Sequence, residues 1–113
     1  MDNNIKEKYF ENEEEAKELL DLSRKEIDEI DNELVELIYR RTSLAKDIVF
    51  AKNYLGMEIY DKNREKTIHD KVNKLAIDKN IDEDILDQIM NMLTILSKNE
   101  QKEILRRDVN GEY

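Results

Sequence analysis

In the first half of the chain the apolar positions step by three and four. Ile27, Ile30, Leu34, Leu37, Leu44, Ile48, Ala51 and Leu55 fall on one line. That is the heptad-like seam of an amphipathic helix. Asn12 with Glu15, and Ser23 with Glu26, each have the form of a capping box, so the helix starts between Asn12 and Asp21. Gly56 is its natural stop. The line is broken at position 41, which is Arg, and Lys52 lies close to the same line three turns later.

Even from Leu22 to Leu55 such a helix is about 50 Å long, at roughly 1.5 Å per residue. A compact monomer of about this size has a radius of gyration of only about 13 Å. Much of the seam would stay uncovered, so a homodimer with paired or exchanged long helices is expected. After a short connection over 56–60, Asp61 caps a second helix that runs to about Asp78. Its apolar face is Ile68, Val72 and Leu75, and one turn before Ile68 that face carries Arg64. "DKNID" (78–82) is a turn. Asp82 caps a third helix, with Ile81 and Leu86 spaced as a hydrophobic staple. That helix is expected to turn Ile85, Ile89, Leu93, Leu96 and Ile104 inward, with Ser97 and Gln101 one turn apart beside them. The tail from Arg106 is expected to fray. The fold class is all-α: a three-helix chain with one very long N-terminal helix.

Composition agrees with this reading and narrows the function. With 113 residues, 42% charged and 6% aromatic, the chain could be disordered. Periodic apolar positions and the absence of Pro favour long helices instead. A net charge of −9 argues against a nucleic-acid partner. Residues 1–20 hold seven acids against three lysines, which reads as a solvated helix face or a frayed end. No apolar run approaches a membrane span and the first ten residues lack a signal-peptide core, so a cytoplasmic protein is expected. Without Cys there is no disulfide framework, thiolate nucleophile or Cys-based zinc site.

Arg41, Lys52 and Arg64 remain to be explained. An unpaired cation on a buried face costs several kcal/mol, on the order of 3–5. Either each snorkels to the rim or pairs with a helix carboxylate, or they converge on an anionic ligand. Two arginines and a lysine suit a small dianion. Asp61 read alone is an N-cap, Glu65 a solvated helix residue, and Ser97 and Gln101 helix-surface residues. His69 takes no role. The sequence has no serine–histidine pairing, phosphate loop or metal-ligand cluster. An enzyme built from these residues would act by binding and electrostatics, without a covalent step.

The spacing of Arg24, Arg41, Lys52, Asp61, Arg64-Glu65, Ser97 and Gln101 resembles the all-helical chorismate mutases of the bacterial AroQ type. "SRKEIDEIDNELVELIYRR" is similar to that family's first-helix signature, and "YDKNREK" to its "D..RE" motif. The likeness covers residues 20–105, leaving 1–19 as an acidic extension and 106–113 as a tail. It implies an intertwined homodimer with shared active sites that rearranges chorismate to prephenate, on the route to phenylalanine and tyrosine, with no cofactor and no metal. It implies carboxylate clamping by Arg41 and by Arg24 of the other protomer. Lys52 and Gln101 would meet the ether oxygen, Glu65 and the Asp61 backbone the ring hydroxyl, and Ser97 a carboxylate. Arg64 would orient the acidic groups, and Ile48 with its aliphatic neighbours would wall the ring. An isochorismate-pyruvate lyase of the same fold and a non-catalytic helical dimerisation module stay open as alternatives. So does association with another shikimate-pathway enzyme. A fused or regulatory domain is not expected.

Overall fold

The computed structural model describes residues 9–111. Among them are four helical segments and no strand: α1 (Glu13–Ser43), α2 (Ala45–Tyr54), α3 (Lys62–Lys79) and α4 (Glu83–Val109). The chain forms two compact units, one ending at Leu37 and the other starting at Ile38.

The first unit holds most of α1. Asn12 Oδ1 accepts the Glu15 N–H at 3.0 Å, so the earlier of the two capping sequences starts the helix. The Glu15 carboxylate turns back to the Glu11 N–H at 3.1 Å, one residue short of a full capping box. Glu13, Glu14 and Glu15 place negative charge in the first turn, where the helix dipole favours it. Ser23 and Glu26 lie inside the helix. No residue of α1 is buried, and Ile27, Ile30, Leu34 and Leu37 keep 51–54% exposure.

The predicted long helix is interrupted at Leu44, which the apolar periodicity did not foretell. Thr42 Oγ1 donates to the Ile38 carbonyl and Ser43 Oγ to the Tyr39 carbonyl, both at 2.8 Å. Hydroxyls bonded back to the preceding turn commonly bend helices. Leu44 N–H then reaches only to Arg41, at 3.2 Å, a 3₁₀-type step. Its own φ and ψ stay helical, and Ile48 N–H bonds Leu44 at 3.0 Å, so α2 continues after one residue.

α2 ends as expected at Gly56, whose φ of +71° is costly for any residue with a Cβ. Met57 N–H bonds the Lys52 carbonyl at 2.8 Å and Gly56 N–H the Asn53 carbonyl at 3.2 Å, a complete Schellman motif. Asn80, at φ +54°, ends α3 in the same way, with Ile81 N–H on the Ala76 carbonyl at 2.9 Å. Asp61 caps α3 through the Arg64 N–H at 3.0 Å, and Asp82 caps α4 through the Ile85 N–H at 2.9 Å.

α4 packs against both α2 and α3. Ala45, Val49 and Ile104 form the buried cluster, with Phe50, Ile59 and Leu105 against it. Val72 and Ala76 are the buried residues of α3. Val49 is the largest fully buried side chain, a burial that contributes about 1.5–3 kcal/mol. His69 Nδ1 and Asp87 Oδ1, 2.6 Å apart at the surface, add a polar tie between α3 and α4.

Two expectations need correction. Of the residues expected to face inward on α4, only Ile104 is buried; Ile85, Ile89 and Leu96 are exposed and Leu93 is partly covered. Periodicity identified an apolar face, but this chain alone does not cover it. The segment from Arg106 is also helical as far as Val109. Glu103 accepts from Arg106 Nη2 at 2.6 Å and lies 3.2 Å from Arg107 Nε, which holds that last turn. The hydrogen bond from Arg106 is the main reason the Glu103 carboxyl sits below its ordinary range, and it raises Arg106 in turn. No described helix is long and apolar enough to cross a membrane.

Candidate active site

The second unit holds a solvent-open cavity of about 360 Å³. Arg41 enters it from the last turn of α1, and Ile48 and Lys52 from α2. Ile59 and Asp61 come from the connection, Arg64, Glu65 and Ile68 from α3, and Thr94, Ser97, Lys98 and Gln101 from α4. Leu44, at the helix break, completes the aliphatic wall with Ile48, Ile59 and Ile68.

The polar groups are held before any ligand arrives. Arg41 Nη1 donates to the Leu93 carbonyl at 3.0 Å, anchoring its guanidinium on α4 and leaving the other N–H groups for a ligand. Lys52 Nζ donates to the Ile59 carbonyl at 2.7 Å and to Gln101 Oε1 at 3.1 Å. An ammonium has no acceptor, so Gln101 must face Lys52 with its oxygen and direct Nε2 to Ser97 Oγ, 3.1 Å away. Gln101 is only 3% exposed, so this orientation is locked. By valence, Lys52 keeps one of its three N–H groups and Gln101 one of its two. Two adjacent donors on the cavity wall thus each have one hydrogen unspent.

The remaining pair was not foreseen. Lys98 Nζ lies 3.3 Å from both oxygens of Glu65 and 5.3 Å above the Tyr60 ring. Lys98 falls on the same stripe of α4 as Thr94, Ser97 and Gln101. That spacing was the available signal, hidden because a helix-surface lysine looks like ordinary solvation. Arg64 was expected to orient the acids, but Lys98 holds Glu65. Arg64 serves Asp61 through its backbone N–H, while its side chain lines the cavity.

Of the expected residues, Arg41, Lys52, Asp61, Arg64, Glu65, Ser97 and Gln101 therefore meet around one cavity. Arg24 does not; it is exposed in the first unit. Four cations (Arg41, Lys52, Arg64, Lys98) against two carboxylates (Asp61, Glu65) leave a surplus of two positive charges in a chain of net charge −9. A polar rim on an aliphatic wall with that surplus suits a small dianion with an apolar body.

The sequence profile of chorismate mutase type II matches residues 23–102. The chain belongs to the chorismate mutase type II family. A chorismate mutase from Methanocaldococcus jannaschii is 46% identical over 87 residues, which is 77% of this chain and 88% of that protein. The NMR structure of monomeric chorismate mutase from Methanococcus jannaschii has a TM-score of 0.62 and 41% identity, covering 77% of this chain and 91% of that one. These chorismate mutases are archaeal, so family membership holds while the bacterial label drawn from the sequence does not follow. Nor does a homodimer follow from a structure of a monomer.

Proposed function

We propose that this family member converts chorismate to prephenate in the cavity between α2, α3 and α4. The reaction is an intramolecular [3,3] shift. The ether C–O bond breaks as a C–C bond forms from the enolpyruvyl methylene to the ring. No atom leaves and no proton need move. The protein therefore has two tasks: to fold the flexible side arm over the ring, and to stabilise charge on the ether oxygen as its bond to the ring lengthens.

Arg41, fixed to the Leu93 carbonyl, takes one carboxylate bidentately with its remaining donors. Ser97 bonds a carboxylate, and Arg64 adds positive charge at the rim. Glu65 and the Asp61 backbone hold the ring hydroxyl. Leu44, Ile48, Ile59 and Ile68 wall the ring and exclude water. The unspent N–H groups of Lys52 and Gln101 meet the ether oxygen. The single observation that carries the reading is this pair, joined by the 3.1 Å hydrogen bond from Lys52 Nζ to Gln101 Oε1 and held by the Ile59 carbonyl and Ser97 Oγ. Because both donors are already oriented, little reorganisation is needed as charge develops.

The proposed assembly is a homodimer with shared sites. Its support is the exposed seam of α1 together with Ile85, Ile89 and Leu96 of α4. A helix whose apolar stripe packs on nothing gains no tertiary stabilisation. A second copy covering it would bring its own Arg24 to the second carboxylate. The proposed setting is the cytoplasm, where prephenate would feed phenylalanine and tyrosine synthesis.

Incubation with chorismate and, separately, isochorismate tests the reading by product identity. Prephenate from chorismate is expected. Salicylate and pyruvate from isochorismate, with chorismate untouched, would make the chain a lyase. No conversion of either substrate would leave a dimerisation module.

A further inference from the structure

Glu65 poses a problem for the function just proposed, on which this inference rests. Its carboxylate lines the cavity that is to accept a dianion, and its side chain is only 26% exposed. An unneutralised carboxylate in a partly buried cavity repels the dianion it should hold. Lys98 answers that problem. Its side chain is 25% exposed, and its ammonium is equidistant, at 3.3 Å, from the two Glu65 oxygens. The ammonium also lies over the Tyr60 ring, 5.3 Å from its centroid, a cation–π contact that helps hold it. The contact joins α4 to the first turn of α3 and to the residue before its N-cap, so it fixes where the carboxylate points.

We propose that Lys98 is a positioning residue: it neutralises Glu65 and holds the carboxylate toward the ring hydroxyl of a dianionic substrate. An ammonium facing both oxygens still leaves each with lone pairs for a hydroxyl donor. The pair is thus a neutral acceptor for a hydroxyl, whereas free Glu65 is a charged one that the substrate carboxylates disfavour. Glu65 is the acceptor for the ring hydroxyl and not a donor to the ether oxygen, so the pair bears on binding more than on the breaking bond.

The test is steady-state turnover of chorismate by the full chain and by K98R, K98M, E65Q and K98M/E65Q, with helical circular dichroism recorded for each. K98M keeps most of the volume over Tyr60 and removes the charge; K98Q replaces it if K98M does not fold. The expected result for K98M is a KM raised about tenfold or more with a much smaller change in kcat. K98R restores KM to within about threefold, since it keeps the charge. Adding E65Q to K98M lowers KM again, because the repelling charge is gone and an acceptor remains. A KM for K98M within twofold of the parent overturns the proposal. So does a double variant whose loss equals the product of the two single losses, because Lys98 then acts independently of Glu65. A parent chain inert toward chorismate overturns the functional reading itself, and this proposal with it.

Discussion

Replacing Lys52 with Ala separates catalysis from stability. The substitution removes the donor to the Ile59 carbonyl at 2.7 Å and to Gln101 Oε1 at 3.1 Å. Hydrogen bonds from a charged donor contribute about 1.5–3 kcal/mol each. Part of that is offset, because a half-buried ammonium no longer has to be desolvated, and water entering the truncated site can serve both acceptors. The net cost to stability is then about 1–2 kcal/mol, well inside the roughly 5–15 kcal/mol typical of a folded domain. A midpoint shift of about 5–10 °C follows for a chain of this length. Loss of one preorganised donor at a developing oxyanion costs far more in rate, about 100- to 1000-fold in kcat. Gln101 also loses the contact that orients its oxygen, so the loss should reach the upper part of that range. The assay is chorismate absorbance at saturating substrate, beside a thermal melt of the same preparation. A folded variant with kcat within threefold of the parent would refute the reasoning, and so would a loss accounted for entirely by unfolding.

Gln101→Glu puts a carboxylate 3.1 Å from Lys52 and removes the neutral donor. Activity should persist only at acidic pH, where the new carboxyl is protonated, while the parent stays nearly flat around neutrality; a full rate at neutral pH in the variant would separate Gln101 from the ether oxygen. Arg24→Ala and Lys52→Ala chains, each inactive alone, should regain about a quarter of the parental rate when mixed and allowed to exchange, because half of the dimers then carry one intact site; no recovery despite subunit exchange would contradict shared sites. The Glu103 carboxyl, held below its ordinary 4.5 chiefly by Arg106, should contribute stability above that value and lose it as pH falls through its folded range. An NMR titration that finds the Glu103 carboxyl unshifted, with the last turn of α4 intact in acid, would oppose this.

The local stops and starts were legible because each is made by one residue's own chemistry. Asn12, Asp61 and Asp82 accept N–H groups of the following turn, and Gly56 adopts a positive φ. Arg41 and Lys52 were legible as cations on an apolar line, a placement that calls for acceptors, and the structure supplies the Leu93 and Ile59 carbonyls and Gln101 Oε1. The break at Leu44 was not, because Thr42 and Ser43 turn their hydroxyls onto the backbone without disturbing the apolar period. Lys98 was missed because its importance depends on Glu65 and Tyr60, which only packing brings beside it. The exposure of Ile85, Ile89 and Leu96 has a different cause. A period of three and four identifies an apolar face, but carries no information about whether the same chain or another covers it.

The central claim is that the cavity anchored by Arg41 rearranges chorismate. Loss of chorismate absorbance on adding purified protein tests it most directly, with Arg41→Ala measured beside it. The account predicts rapid loss with stoichiometric appearance of prephenate, and a drop of at least about 100-fold in kcat/KM for Arg41→Ala, since that variant loses a bidentate carboxylate contact. No loss with the parent chain, or equal rates for the two proteins, would contradict it.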